Sequence, residues 1–299
     1  MSAPDLGLRR VQVLAVAILV LGLEVAVLGG CSSGDEDPAA AAEGRGSLRA
    51  EHFFLLTADT WRADFLGGEI AGTPLTPQLD AFVAARGGIV FEDNTSVAAM
   101  TSPEVAGILS GLLPLRSGVM ENVHVLPTTV PTLSELLGAH AFQTAAFVAN
   151  PILRPGYGFE RGFETYELLP AEPPDRKARG AAVVARALRW LDERGPDERL
   201  FLWLHFMEPH GPYEPPPDLL DALPLTDFGV APIPVARLVV GDQVGRAGVP
   251  HYQWDSDAHP GGDDGREYVR RYAAEVMALA GCWGASWQRS RRADCSRPL

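Results

Sequence analysis

Three apolar runs constrain this chain most: Phe53 to Ala58, Thr144 to Ala149 and Leu200 to Phe206. None alternates apolar with polar residues, so none suits a sheet with one wet face. They read as central strands covered on both sides. Helical patterns lie between them. Thr76-Pro77 opens one that runs through Ala85, with Thr as cap and Pro in the first turn. Ser102-Pro103-Glu104 opens another through Leu109, and Pro131 a third through Ala139. An amphipathic run from Ala178 to Arg194 stops at Gly195. Strands alternating with helices predict an α/β fold with a mainly parallel sheet flanked by helices. In such sheets ligands lie beyond the carboxyl ends of the strands. From Pro209 to Pro260 the chain is rich in Pro and Gly and reads as a long surface excursion.

The 299 residues are 46% hydrophobic, enough to build a core. The formal net charge of −13 argues against nucleic acid as a partner, because the chain would repel its phosphates. It also argues against a broad basic membrane face. An anionic substrate would need a local positive site, either a metal or a cluster of cations and helix N-termini. The cysteines are Cys31, Cys282 and Cys295, and none lies between Glu51 and Glu275. The core therefore uses no disulfide; Cys282 and Cys295 could pair in an oxidising compartment.

Residues 1–30 read as an address. Arg9 and Arg10 precede an apolar stretch from Val11 to Leu28 broken by Glu24, and Leu28-Gly29-Gly30-Cys31 comes next. This resembles the lipobox of bacterial lipoproteins, with Cys31 as the lipid-bearing residue; an uncleaved membrane anchor is the other reading. Ser32 and Ser33 resemble an outer-membrane sorting signal. Residues 31–50, rich in Ser, Gly, Ala and acids, read as a flexible tether. The expected location is the bacterial cell envelope, as an exported protein held to the membrane through lipid on Cys31.

Three strand-end or helix-start positions could carry chemistry. Asp59 ends the first run, where a carboxylate can ligate a divalent cation or simply cap a turn. Thr101 stands ahead of a helix start, where free N–H groups and the dipole favour an anion. Its hydroxyl is either a nucleophile or a cap. His210 comes after the third run, between Pro209 and Pro212, and could donate to an anionic substrate oxygen. His205, inside the apolar run, reads as a satisfied core histidine. His124, His140, His251 and His259 show no partner spacing.

Taken in order, these segments resemble the sulfatase family of the alkaline phosphatase-like superfamily, in its N-terminal part. Leu55-Leu56-Thr57-Ala58-Asp59-Thr60-Trp61-Arg62-Ala63-Asp64 is similar to the family's opening strand and turn. Thr73-Pro74-Leu75-Thr76-Pro77-Gln78-Leu79-Asp80 resembles its first helix start. Thr101-Ser102-Pro103, with Ser110-Gly111-Leu112-Leu113-Pro114-Leu115-Arg116-Ser117-Gly118-Val119, resembles the nucleophile helix and the segment after it. Val130 to Leu137, Thr144 to Val148 and Gly158 to Tyr166 continue the match, and Glu208-Pro209-His210-Gly211-Pro212-Tyr213 resembles the Asp-Pro-His-x-Pro-Tyr segment. The resemblance implies metal-assisted hydrolysis of a small sulfate ester, with a divalent metal, calcium in most sulfatases. It implies Asp59 as a metal ligand, Thr101 as the nucleophile and His210 as a substrate contact. Inactive binding by an exported lipoprotein, or phosphodiesterase or phosphotransferase chemistry on Thr101, are the alternatives.

Departures are also legible. Thr101 replaces the Cys or Ser that matures to formylglycine. Glu104-Val105 replaces Ser-Arg, removing a cation and adding an anion. Thr60 replaces the second acid of an Asp-Asp pair, and the Lys-x-His pair expected after Thr144 is absent, with Ala149 and Asn150 nearby. No Asp-His-Gly motif comes after Tyr272-Ala273-Ala274-Glu275-Val276, and after about Ala280 the composition changes and the periodic pattern is lost. The expectation is a sulfatase-like domain over residues 51–280, truncated before its last strands, and an aberrant tail over 281–299 from a shifted or truncated frame, with a natural divergent tail as the other reading. The metal site would then be incomplete, turnover weak or nil, sheet faces exposed and stability marginal.

Overall fold

The computed structural model describes residues 52–91, 93–171, 179–195, 197–240, 243–246, 249 and 264–293. Cys31, Cys295, the address and the tether lie outside the described residues. Four strands form the main sheet: β1 (His52–Asp59), β2 (Phe142–Val148), β3 (Thr165–Leu168) and β4 (Arg199–Pro209). Their spatial order is β1-β4-β2-β3, and every pairing is parallel. The three apolar runs are thus the three adjacent strands β1, β4 and β2. The fourth, Thr165–Leu168, is half-buried at the edge and carries little of the apolar signal that marks the others.

Successive side chains along a strand point to opposite faces, and both faces are covered. Leu55, Ala146, Val148, Phe201 and Trp203 pack with Val105, Ala106 and Leu109 of helix α2 (Thr101–Ser110). Leu56, Ala145, Phe147, Leu202, Leu204 and Phe206 pack on the other face. There they meet Leu79 of α1 (Pro77–Ala85), Val183, Ala187 and Trp190 of α4 (Gly180–Asp192), and Tyr272, Val276, Leu279 and Trp283 of α5 (Gly265–Ala293). The fifth of the longer helices, α3 (Leu133–Ala139), lies on the face of α2, with Leu133 and Leu137 packed against the core there.

Local chemistry explains the helix starts. Thr132 accepts from the Glu135 amide, while Glu135 accepts from the Thr132 amide, so a capping box begins α3. The buried positions 180, 183, 187 and 190 of α4 keep to the helical repeat. Its first turn packs closely at Gly180, where a Cβ would press on Leu279 at 3.1 Å and Phe206 at 3.2 Å. Asp264 caps α5, accepting from the Arg266 amide at 3.0 Å. The Arg266 guanidinium holds the Asp264 carboxyl down at about 2.

Two expectations are corrected. The sequence pattern predicts an end to the periodicity near Ala280, yet α5 runs unbroken to Ala293. Trp283, 4% exposed, stacks on Trp61 at 5.7 Å and meets Phe206 edge-on. Burial of an aromatic pair outweighs the break in composition that suggests a tail. The sequence also predicts bare sheet faces, yet α4 and α5 close one and α2 and α3 the other. The surface excursion is not wholly irregular either. It holds a short helix (Pro217–Asp221), a 3-10 turn (Leu225–Phe228) and a hairpin pairing Arg237–Val240 with Gln243–Arg246.

Candidate active site at the carboxyl ends of the strands

β1 and β4 run in step from His52 beside Leu200 to Ala58 beside Phe206, and then the register jumps so that Asp59 faces Pro209. Met207 and Glu208 are the extra residues, a bulge that bends the strand end and turns the chain beyond it. Without the bulge Asp59 would face Met207; with it, His210 is the next residue along. Glu208 leaves the site altogether. Its buried carboxylate accepts from the Gly180 amide at 2.9 Å and so caps α4.

Asp59 and Thr101, 42 residues apart, meet here, and the Thr101 hydroxyl donates to Asp59 Oδ2 at 3.2 Å. Asn150, just past the end of β2, donates from Nδ2 to the same oxygen at 2.7 Å and lies 3.5 Å from Thr101 Oγ1. Three elements thus converge on one carboxylate. The sequence marks Asn150 only as the place of a missing pair. Its position directly beyond a buried strand, before Pro151, is the signal that could have found it.

Thr101 opens α2, one residue before the predicted start, with Met100 as cap. The helix start offers fewer free amides than expected. The Ser102 amide donates to Asn122 Oδ1 at 2.9 Å, Pro103 has none, and the Glu104 amide donates to Met100. Asn122 also accepts from the Ser102 hydroxyl through its backbone oxygen. The Glu104 carboxylate does not face the site as a bare anion. Its Oε2 accepts from Ser96 Oγ and from the Val97 and Ala98 amides, tying the preceding loop to the helix. Val105 is buried in the core.

His210 Nδ1 lies 2.6 Å from the Gly211 carbonyl oxygen. A carbonyl only accepts, so Nδ1 carries the proton and Nε2 is the nitrogen that gains or loses one. His210 can therefore donate from Nε2 only as the imidazolium. His205 departs from expectation. It is buried, with its ring 6.0 Å from Trp203, but Nδ1 has no hydrogen-bond partner. Burial pushes its pKa down from 6.5, with the Asp59 charge opposing and His210 adding. A neutral His205 in the fold and a charged one in the unfolded chain means stability is full above pH 6.5. It declines as pH falls from there toward the lowered native value. The melting temperature should drop between about pH 7 and about pH 5, and His205→Gln should flatten that drop.

The loop after Asp59 is held from the far end of the chain. Thr60 sits in the left-handed region at φ 61°, a strained place for a β-branched residue. The Tyr272 hydroxyl of α5 donates to the Thr60 carbonyl at 2.8 Å and accepts from the Arg62 amide at 2.7 Å. Burial pushes the Tyr272 phenol well above its usual value, so it remains a donor at any working pH. Tyr272→Phe should destabilise the chain by about 1–3 kcal/mol in urea unfolding, because two partners lose one group.

An open apolar hollow lined by Phe53, Leu133, Leu136 and Phe142 lies at the amino ends of the strands, the wrong end for a sheet ligand. Among the described residues no helix is long and apolar enough to cross a membrane.

Comparison with known proteins places this fold. The profile of the family described as Sulfatase matches residues 51–223. Arylsulfatase G of Canis lupus familiaris is 30% identical over 172 residues, covering 55% of this chain and 30% of the relative. The ulvan-active sulfatase of Formosa agariphila is 34% identical over 94 residues, 31% of this chain and 17% of the relative. A 2-O GAG sulfatase of known structure superposes with a TM-score of 0.52 at 20% identity, over 81% of this chain and 54% of that one. The chain thus spans a third or less of the two relatives' lengths and about half that of the solved structure, whose likeness shows the alkaline phosphatase-like fold.

Proposed function

The chain belongs to the sulfatase family, and from that premise we propose that Thr101, Asp59 and His210 form the centre of a sulfuric ester hydrolase acting on a small sulfate ester. The observation that carries this reading is the hydrogen bond from the Thr101 hydroxyl to Asp59 at the carboxyl ends of the sheet. Asp59 takes the hydroxyl proton as Thr101 Oγ1 attacks sulfur. The bond from sulfur to the alcohol oxygen breaks, its electron pair stays on that oxygen, and the His210 imidazolium supplies the proton. Water then attacks the sulfo-threonine, giving a proton to His210, while Asp59 returns one to the departing Thr101 oxygen.

Family members use a divalent metal, and calcium would supply Lewis-acid polarisation of the ester oxygens. The residues here do not fit a dication. Among the described residues no group of three or more His, Cys, Asp or Glu could hold one. Asp59 Oδ2, moreover, already accepts from both Thr101 and Asn150. No step is therefore routed through a metal, and turnover is expected to be slow, because the carboxylate works without Lewis-acid help.

The Leu-Gly-Gly-Cys segment ending at Cys31 supports attachment of this activity to the cell envelope through lipid. Hydrolysis of a chromogenic sulfate ester, measured beside the matching phosphate ester, tests the proposal. A phosphate preference would overturn the sulfate assignment, and no turnover of either would overturn the activity.

A further inference from the structure

We propose that Asn150 is the positioning residue of this site: its amide clamps Asp59 against the Thr101 hydroxyl and takes the flank of the carboxylate that a cation would need. This goes beyond the catalytic reading, because it concerns what holds the carboxylate and requires no turnover.

The amide cannot turn freely. Asn150 Oδ1 accepts from the Ile152 amide at 2.9 Å, which fixes the NH2 side toward Asp59. Asn150 is 2% exposed, so water does not compete for these bonds. Its backbone is fixed as firmly. The adjacent Ala149 amide donates to the His205 carbonyl at 3.0 Å, joining the end of β2 to β4. On the other side Pro151 begins a short 3-10 turn whose Leu153 is wholly buried. A locked donor 2.7 Å from Asp59 Oδ2 directs positive N–H dipole at an oxygen lone pair, and a cation cannot use that lone pair while the donor holds it. The amide's oxygen, the one atom able to ligate a cation, points away to Ile152.

Asn150→Asp exchanges the donor for a second carboxylate beside the first. Two carboxylates at that separation repel unless a proton or a cation bridges them. The variant should therefore acquire a cation dependence that the natural chain lacks.

The test uses the full chain and calcium alone as probe, read by thermal melting and by calorimetric titration. The wild-type chain is expected to melt identically in calcium and in chelator. Asn150→Asp should melt several degrees lower in chelator, recover in calcium and bind the ion. The double variant Asn150→Asp with Asp59→Asn should lose that response. A calcium-induced rise in the wild type that Asp59→Asn abolishes would overturn the proposal, as would Asn150→Asp behaving like the wild type. If Asn150→Asp does not fold in either buffer, Asn150→Ala decides. A lower melting temperature, equal with and without calcium, supports the clamp; no change overturns it. Loss of sulfate-ester turnover in the wild type would leave each of these outcomes readable.

Discussion

Replacing Thr101 by alanine is expected to reduce sulfate-ester turnover by at least ~10³-fold, to the uncatalysed background. On the proposed mechanism the attacking oxygen is then gone and no neighbour can take its place. Ser102 is the next residue, but its hydroxyl is buried and donates to the Asn122 carbonyl. Thr101→Ser keeps the oxygen and should retain measurable activity. The fold should survive both changes. Thr101 is partly exposed and sits in the first turn of α2, and Asn150 still donates to Asp59 when the hydroxyl is removed. Equal melting temperatures for the three proteins separate loss of chemistry from loss of structure. Activity that persisted in Thr101→Ala, with Asp59→Asn inactive, would make the attacking group a water and remove Thr101 from its role.

The largest effect on stability is expected at Trp203. Its side chain is fully buried at the centre of β4. The indole donates to Thr57 Oγ1 at 3.1 Å, and Phe163 stacks on it at 5.9 Å. Trp203→Ala removes the largest of the fully buried side chains among the described residues, leaves a cavity between the sheet and its covering helices, and leaves the buried Thr57 hydroxyl with only its 3.5 Å bond to the Leu204 carbonyl. The expected cost is about 3–5 kcal/mol. Against a total of about 5–15 kcal/mol for a domain, that is a large share of the stability. Trp203→Phe keeps most of the volume but not the donor, and should cost much less. Chemical unfolding of the two variants, with midpoint and slope compared, checks the prediction.

The fold is legible in the sequence because its information is one-dimensional. Buried parallel strands need unbroken apolar runs, and Phe53–Ala58, Thr144–Ala149 and Leu200–Phe206 supply them. Thr165–Leu168 escapes because a short, half-buried edge strand leaves no such run. The continuation of α5 is hidden because its retention depends on Trp283 finding Trp61, a partner far away in the chain. Asp59 and Thr101 are legible as a strand end and a helix start, and the resemblance joins them. Asn150 and Asn122 are not, since an asparagine after a strand or in a turn looks the same whether or not a carboxylate or an amide awaits it. The role of Glu104 is hidden for a related reason: sequence shows a charge, while only the folded loop shows the Ser96 hydroxyl and the Val97 and Ala98 amides that consume it.

The Tyr272 hydroxyl reaches Thr60 across 212 residues of chain. During synthesis from the amino end, Asp59 leaves the ribosome long before the residue that sets the turn beside it. Closing so long a loop precedes any reward from the contact. A nascent chain halted before α5 would display its acid beside a turn free to relax out of the left-handed conformation. Competence of the centre would then arrive only with the last long helix.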